Sequence, residues 1–389
     1  MIRFPGLDGL RGWLAWTVVL HHIAFFSGLG APWLPTNLVL EAGGLAVMIF
    51  IVLSGFVITH LIVERHEPYG LYLARRALRI YPIYLFALLL GVATTFLTFR
   101  TFLAPDGTLD AAAMAIIRYP QVDNFLVDHA MLQGNAFYTH LVLHLTMMHG
   151  LFAGNFVPDA EFMFLSPAWS LSLEWQFYLV APAVIWAARR KIPALVLAAA
   201  SLFLFYLYGH QFFGWWALPS FLPGAGLYFA VGIACRLLMT PERSRFSWII
   251  VAILALGFVL LEGWRLPVEV WLVFLAASLY RDRAGRFSKP VGRVVGALFE
   301  SPLARHLGEA SYSTYLLHFP LLQLAMYVAV RGLALTPMAA TVFVTLATLL
   351  STYALSQLTW RVIERPFIAL GKRLGSKDSS SETAVAGTV

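Results

Sequence analysis

The 389-residue chain has one cysteine, Cys235, so it can close no intrachain disulfide and build no thiolate metal cluster. Charge is scarce too: Asp, Glu, Lys and Arg make up 12% of the residues, about half the usual share in soluble domains. No glycine-rich phosphate loop is present. His140 and His144 stand at i, i+4, but Leu141-Val142-Leu143 between them lacks the glutamate of a zinc-protease helix, so no metal is expected. Ser54, in Val52-Leu53-Ser54-Gly55-Phe56, lacks the first glycine of a nucleophile elbow and reads as a small residue allowing close helix packing.

What fills the chain instead is hydrocarbon. Sixty per cent of residues are hydrophobic and the mean hydropathy is +0.75, more than a soluble core absorbs. Trp13–Ser27, Leu45–Val63, Tyr81–Leu97, Ile192–Leu207 and Val342–Leu358 approach the roughly 20 residues that cross a bilayer. The first of them reads as an uncleaved span, because no small-x-small cleavage site follows it. The net charge of +7 lies in short connections (Arg65 to Arg79, Arg189 to Lys191, Arg236 to Arg245, Arg281 to Arg293, Arg361 to Arg373), which marks topology rather than nucleic-acid binding. All five belong on the cytoplasmic side by the positive-inside rule. Parity then fails only between Arg79 and Arg189, where three apolar stretches stand, and Phe137–Ala153 is the one assigned not to cross, since it holds His140, His144 and His149. The expectation is an all-α, polytopic membrane bundle of about ten transmembrane helices plus one re-entrant or interfacial segment, with both termini cytoplasmic. Residues 1–374 form the membrane domain, and 375–389 a disordered cytoplasmic tail. Thr101–Gln133 is the longest external loop, and neither a soluble second domain nor an internal repeat stands out.

Ionisable groups inside a bilayer cost at least about 2.5 kcal/mol each and persist where they line a cavity or pair. Arg11 opens the first span, and His22, preceded by His21, lies roughly 16 Å further along it. Glu174 falls about 11 Å from one end of its span, and His318 about 12 Å into another. The three titratable groups His22, Glu174 and His318 are thus expected to converge at one depth. Structural glue between helices is the alternative use for any one of them; a histidine beside a carboxylate also suits a general base. Arg75, Arg76 and Arg79 cluster at a helix start, either as interface anchors or as forks for phosphate oxygens.

Taken in order, Leu7-Asp8-Gly9-Leu10-Arg11 with His22, Phe50 to Phe56, Arg75-Arg76-Ala77-Leu78-Arg79-Ile80-Tyr81-Pro82, Pro167 to Glu174 with Gln176-Phe177-Tyr178, Leu307-Gly308 with Ser311 to His318, and Glu364-Arg365-Pro366-Phe367 resemble the membrane-bound acyltransferase 3 family of bacterial O-acyltransferases. The likeness covers roughly Phe4 to Phe367. It departs at Trp175, where the family usually has a second acid, and the esterase-like domain appended in some relatives is not expected after the last span.

The resemblance implies that Arg11 and His22 are functional and that Arg75, Arg76 and Arg79 serve the donor side. His22 would act as general base on the acceptor hydroxyl or carry the acyl group, positioned by Glu174 or another carboxylate. Tyr312 and His318 would face a developing oxyanion, with Trp169 and Ser172 grouped on the substrate side. No tightly bound cofactor is expected. The co-substrate is acyl-CoA, most simply acetyl-CoA, and the partners are the lipid bilayer and a carbohydrate-containing acceptor: surface polysaccharide, lipid-linked sugar, peptidoglycan precursor or glycosylated metabolite. The expected location is the bacterial cytoplasmic membrane. A proton-coupled secondary transporter, using His22, Glu174 and His318 as a relay, is the alternative, although no pair of broken segments marks two related halves.

Overall fold

A computed structural model describes residues 4, 6–27, 36–104, 106–117, 134–240, 244–261, 263–280 and 288–374. The chain is mostly helical over these residues, with irregular stretches such as 152–165 and 210–221, and contains no strand among them. In order the helices are α1 (Gly6–Phe26), α2 (Thr36–Arg65), α3 (Tyr69–Phe102), α4 (Ala111–Ile116), α5 (Gly134–Leu145), α6 (Trp169–Ala188), α7 (Lys191–Gly209), α8 (Leu222–Leu238), α9 (Ser244–Leu260), α10 (Leu266–Tyr280), α11 (Ser288–Phe299), α12 (Pro302–Glu309), α13 (Ser311–Tyr327), α14 (Pro337–Thr359) and α15 (Arg365–Leu374).

Six stretches are long and apolar enough to cross a membrane: Glu41–Arg65, Tyr69–Phe102, Ser166–Ala188, Lys191–Gly209, Ser311–Gly332 and Pro337–Leu374. Three shorter apolar helices, α8, α9 and α10, accompany them. With the 21-residue α1, which carries Asp8 and Arg11 in its first turns, they account for the ten spans read from the sequence. The segment assigned not to cross is indeed short: α5 has 12 residues, about 18 Å of helix, and ends in a turn at His149–Leu151. The tail from 375 onward and residues 118–133 of the long loop lie outside the described residues.

Apolar side chains face outward as well as inward. Ile192, Phe203, Leu346 and Leu350 are all exposed, as expected of helices that face lipid. Inside, α1 packs on α2, α12 and α13, α2 on α8, and α13 on α3 and α14. Glycines set two of these approaches. A Cβ at Gly232 would fall 2.1 Å from the Val52 carbonyl oxygen, and one at Gly308 would fall 2.1 Å from that of Asp8. Backbone thus lies against backbone where α12 meets the start of α1, which fixes Arg11 one turn away. Gly308→Ala is expected to push these helices apart at a cost of about 1–3 kcal/mol, read as a lower thermal midpoint in detergent.

The end of the bundle is closed by a buried carboxylate. After α14 a π turn, Trp360–Glu364, brings Glu364 back onto the start of α13, where it accepts the Ser313 backbone N–H at 3.0 Å and the Ser313 hydroxyl. Thr359 in turn donates to the Ser313 oxygen at 2.9 Å. Removing the carboxylate leaves a buried N–H unsatisfied, so Glu364→Ala is expected to cost about 1–3 kcal/mol while Glu364→Gln recovers most of it, measured by the same unfolding assay.

Candidate active site

Helix α3 has 34 residues, about 50 Å, so its first turns, carrying Arg75, Arg76 and Arg79, extend beyond a 30 Å hydrocarbon layer. Together with the starts of α1 and α13, the middle of α2 and of α6, and the end of α15, those turns enclose a cavity of about 330 Å³. Arg11, Arg65, Arg75, Arg76, Arg79 and Lys372 line it, and Glu174 is the only carboxylate among its described lining residues. Ser54, Tyr178, Tyr312, Ser170 and Tyr315 add hydroxyls. Six cations against one carboxylate make this a place for a polyanion.

The cations differ in engagement. Arg75 is tied to Glu67 and donates to the Gly371 carbonyl at 2.9 Å, so it fastens α15 to α3. Arg11 meets Asp8 at 3.2 Å, one turn back on α1. The Nε of Arg76 is buried without a hydrogen-bond partner. The Glu174 carboxylate accepts the Tyr178 hydroxyl at 3.3 Å and has Ser54, Arg11 and Arg79 around it. The Tyr312 hydroxyl is buried and unpartnered, with Glu174, Tyr178 and Arg79 as charged and polar neighbours.

Beyond one wall of the cavity lies a second group. Tyr315 hydrogen-bonds to Ser170 at 2.7 Å and donates to the Pro167 carbonyl at 2.8 Å, while its ring faces His318 with centroids 6.2 Å apart. His318 Nε2 lies 3.2 Å from His22 Nδ1. His22 Nδ1 also lies 3.0 Å from the Val18 carbonyl, and His318 Nδ1 lies 3.3 Å from that of Thr314. Carbonyl oxygens only accept, so both rings carry their hydrogen on Nδ1. The His22 N–H is then shared between Val18 and the lone pair of His318 Nε2, and His22 Nε2 is left as a lone pair. Both rings pack edge-on to Phe319, and His22 stacks on Phe26.

His22 and His318 therefore meet, and Arg11, Glu174, Tyr312 and the three arginines meet, but as two groups on either side of Tyr315. The expected convergence of Glu174 with the histidines is corrected: the interacting partners of Glu174 lie on the Arg11 side. Helix geometry explains the split, because α1 separates Arg11 from His22 by three turns. Ser172 and Trp169 join neither group. The Ser172 hydroxyl accepts the Gly150 backbone N–H at 3.0 Å, holding the turn after α5, and Trp169 is buried at the start of α6 without lining the cavity. Trp175 packs edge-on against Tyr81, centroids 5.2 Å apart, so the side chain that departs from the family pattern points away from Glu174. No group of three or more potential ligands for a metal ion occurs among the described residues.

Three cavity residues escaped the sequence reading. Tyr178 follows Glu174 by four residues and so shares its helix face, a signal that was available. Ser54, read as packing, lines the cavity while its neighbour Gly55 makes the close approach to α8. Tyr315 stood inside the quoted motif Ser311 to His318 without a role; that role depends on where the turn before α6 and its first residues meet α13.

Compared with known proteins, residues 4–357 match the model of a family described as an acyltransferase domain. The chain belongs to that acyltransferase family. Two relatives from Staphylococcus aureus, strains COL and MSSA476, each named "putative O-acetyltransferase", are 22% identical over 404 residues. The alignment covers 94% of this chain and 58% of each relative, so the chain spans little more than half their length. No solved structure matches this acyltransferase-family chain.

Proposed function

We propose that the protein is an O-acyltransferase that moves an acyl group, most simply acetyl, from acyl-CoA to a hydroxyl of a carbohydrate-containing acceptor in a bacterial cytoplasmic membrane. The observation that carries this reading is the cavity in which six cations surround one carboxylate, separated by Tyr315 from a histidine with an open lone pair. Family membership and the names of the relatives supply the reaction class.

In this reading the arginine-lined mouth faces the cytoplasm, as the positive-inside rule requires, and receives the donor phosphates. The thioester reaches the Tyr315 wall. The acceptor approaches His22, whose surface is partly exposed, from the other side. His22 Nε2 takes the hydroxyl proton, the alkoxide oxygen bonds to the acyl carbon, and the carbon–sulfur bond breaks to release the coenzyme A thiolate, which the imidazolium or solvent reprotonates. His318 acts by fixing the His22 ring rather than by touching the oxyanion. Tyr312, at the inner end of the cavity with its hydroxyl unpartnered, is the group placed to donate to it, while the Tyr315 hydroxyl is already given to the Pro167 carbonyl. Glu174 orients Tyr178 and offsets the charge of Arg11 and Arg79.

The test uses the full chain in nanodiscs with radiolabelled acetyl-CoA, following coenzyme A release, transfer to a sugar acceptor and label on the protein. Turnover by the wild type that is lost in His22→Ala supports the reading. Uptake of a solute across proteoliposomes without any thioester cleavage would overturn it in favour of transport.

A further inference from the structure

A second cavity of about 300 Å³ lies between the end of α2, the first turns of α3 and the end of α6. It shares Leu61, Arg65 and Arg76 with the cavity that holds Glu174. Its own wall adds Arg189, the rings of Tyr69 and Trp186, and Tyr72. Its one described carboxylate, Glu67, is already paired with Arg75 and lies 3.5 Å from Arg65. Three guanidinium groups therefore dominate its field.

Two buried polar atoms on this wall have no partner among the described residues. Tyr72 is only 5% exposed, yet its hydroxyl makes no hydrogen bond, and neither does Arg76 Nε beside it. A buried hydroxyl left unsatisfied costs about 1–3 kcal/mol, a penalty that a ligand accepting from both groups removes. The aromatic side chains are braced: the Tyr69 hydroxyl donates to the Leu179 carbonyl at 3.1 Å, and the Arg190 guanidinium sits 3.6 Å from the centre of the Trp186 ring. Indole and phenol faces beside guanidinium forks suit a purine base carrying phosphates.

Resting on the acyl-CoA reading above, we propose that this second cavity seats the nucleotide end of the donor, a 3′-phosphorylated adenosine diphosphate. Trp186 and Tyr69 face the base, while Arg65, Arg76, Arg189 and the Tyr72 hydroxyl hold phosphate oxygens. The two cavities then form one bent donor site with Arg76 at the corner, and the pantetheine arm leads from it toward Tyr315.

The experiment measures binding of adenosine 3′,5′-bisphosphate to the full chain in nanodiscs, and turnover of acetyl-CoA against acetyl-pantetheine, which lacks the nucleotide. Wild type is expected to bind the bisphosphate, and Trp186→Ala/Arg189→Ala to bind it about tenfold or more weakly, as loss of one charge-assisted contact predicts. The preference in kcat/KM for acetyl-CoA over acetyl-pantetheine should fall by a similar factor. Arg189→Lys should recover part of both, which a mere packing defect does not allow. Bisphosphate binding without any turnover keeps the nucleotide site and removes the transfer reading. Turnover with no binding of the bisphosphate, or with the preference intact in the double variant, overturns the site and leaves the transfer reading standing. Anionic lipid retained by wild type, lost in the variant and accompanied by no nucleotide binding would mark a headgroup site, and would also overturn it.

Discussion

His22→Ala should lower acyl transfer by about a thousandfold, the middle of the range for loss of a general base, without reducing the amount of folded protein in the membrane. The expectation rests on the hydrogen-bond arithmetic of one ring. Val18 and His318 take up the Nδ1 side of His22, which leaves Nε2 as a lone pair in a pocket walled by Phe26 and Phe319. A base needs that lone pair and a fixed direction for it, and the fixed direction comes from His318. His318→Ala should therefore lower kcat by a smaller factor, about ten to a hundred, and leave KM for the donor near that of wild type, because His318 lies outside the cation-lined cavity. Single-turnover rates with radiolabelled acetyl-CoA read both effects. Normal transfer by His22→Ala would end the general-base role, and a KM effect equal to the kcat effect in His318→Ala would mean that the histidine supports the donor cavity instead.

Much of this arrangement was legible in the sequence, for identifiable reasons. Hydrocarbon thickness sets a minimum length on any span, so the apolar stretches and the short histidine-bearing segment α5 could be read directly. The cost of an ionisable group in lipid singled out Arg11, His22, Glu174 and His318 without any knowledge of how the helices pack. Depth along an axis, however, says nothing about direction around it. Glu174 and His22 have comparable expected depths, yet they lie on opposite sides of the Tyr315 wall, and only the way the turn before α6 and its first residues meet α13 fixes that. Tyr315 and Ser54 stood inside the quoted motifs without a site role, because a Tyr or Ser in a span is unremarkable until its partners are known. The same holds for Tyr72, whose buried and unsatisfied hydroxyl depends on the ends of α2 and α6 lying against α3.

The arginines of α3 show the same limit and lead to a second large effect. In sequence Arg75, Arg76 and Arg79 are one basic cluster. In the fold Arg75 is committed to Glu67 and to the Gly371 carbonyl of α15, whereas Arg76 and Arg79 line the cavity with no acidic partner within ion-pair distance among the described residues. A charge-assisted hydrogen bond to a phosphate oxygen contributes about 1.5–3 kcal/mol, so Arg76→Ala and Arg79→Ala should each raise KM for acetyl-CoA roughly tenfold to a hundredfold, with a smaller change in kcat. Arg75→Ala should act differently. It releases α15 and leaves Glu67 with Arg65 alone, so the expected loss is in thermal stability and in the closure of the cavity mouth, with the rise in KM following from a displaced Lys372 rather than from a lost phosphate contact. Added Arg75→Lys should restore stability only in part, because an ammonium cannot keep the fork that spans Glu67 and the Gly371 carbonyl at once. Steady-state kinetics and thermal unfolding on the same three alanine variants decide the matter. Three equal shifts in KM with unchanged stability would return Arg75 to the donor-binding set and remove the distinction between fastening and binding.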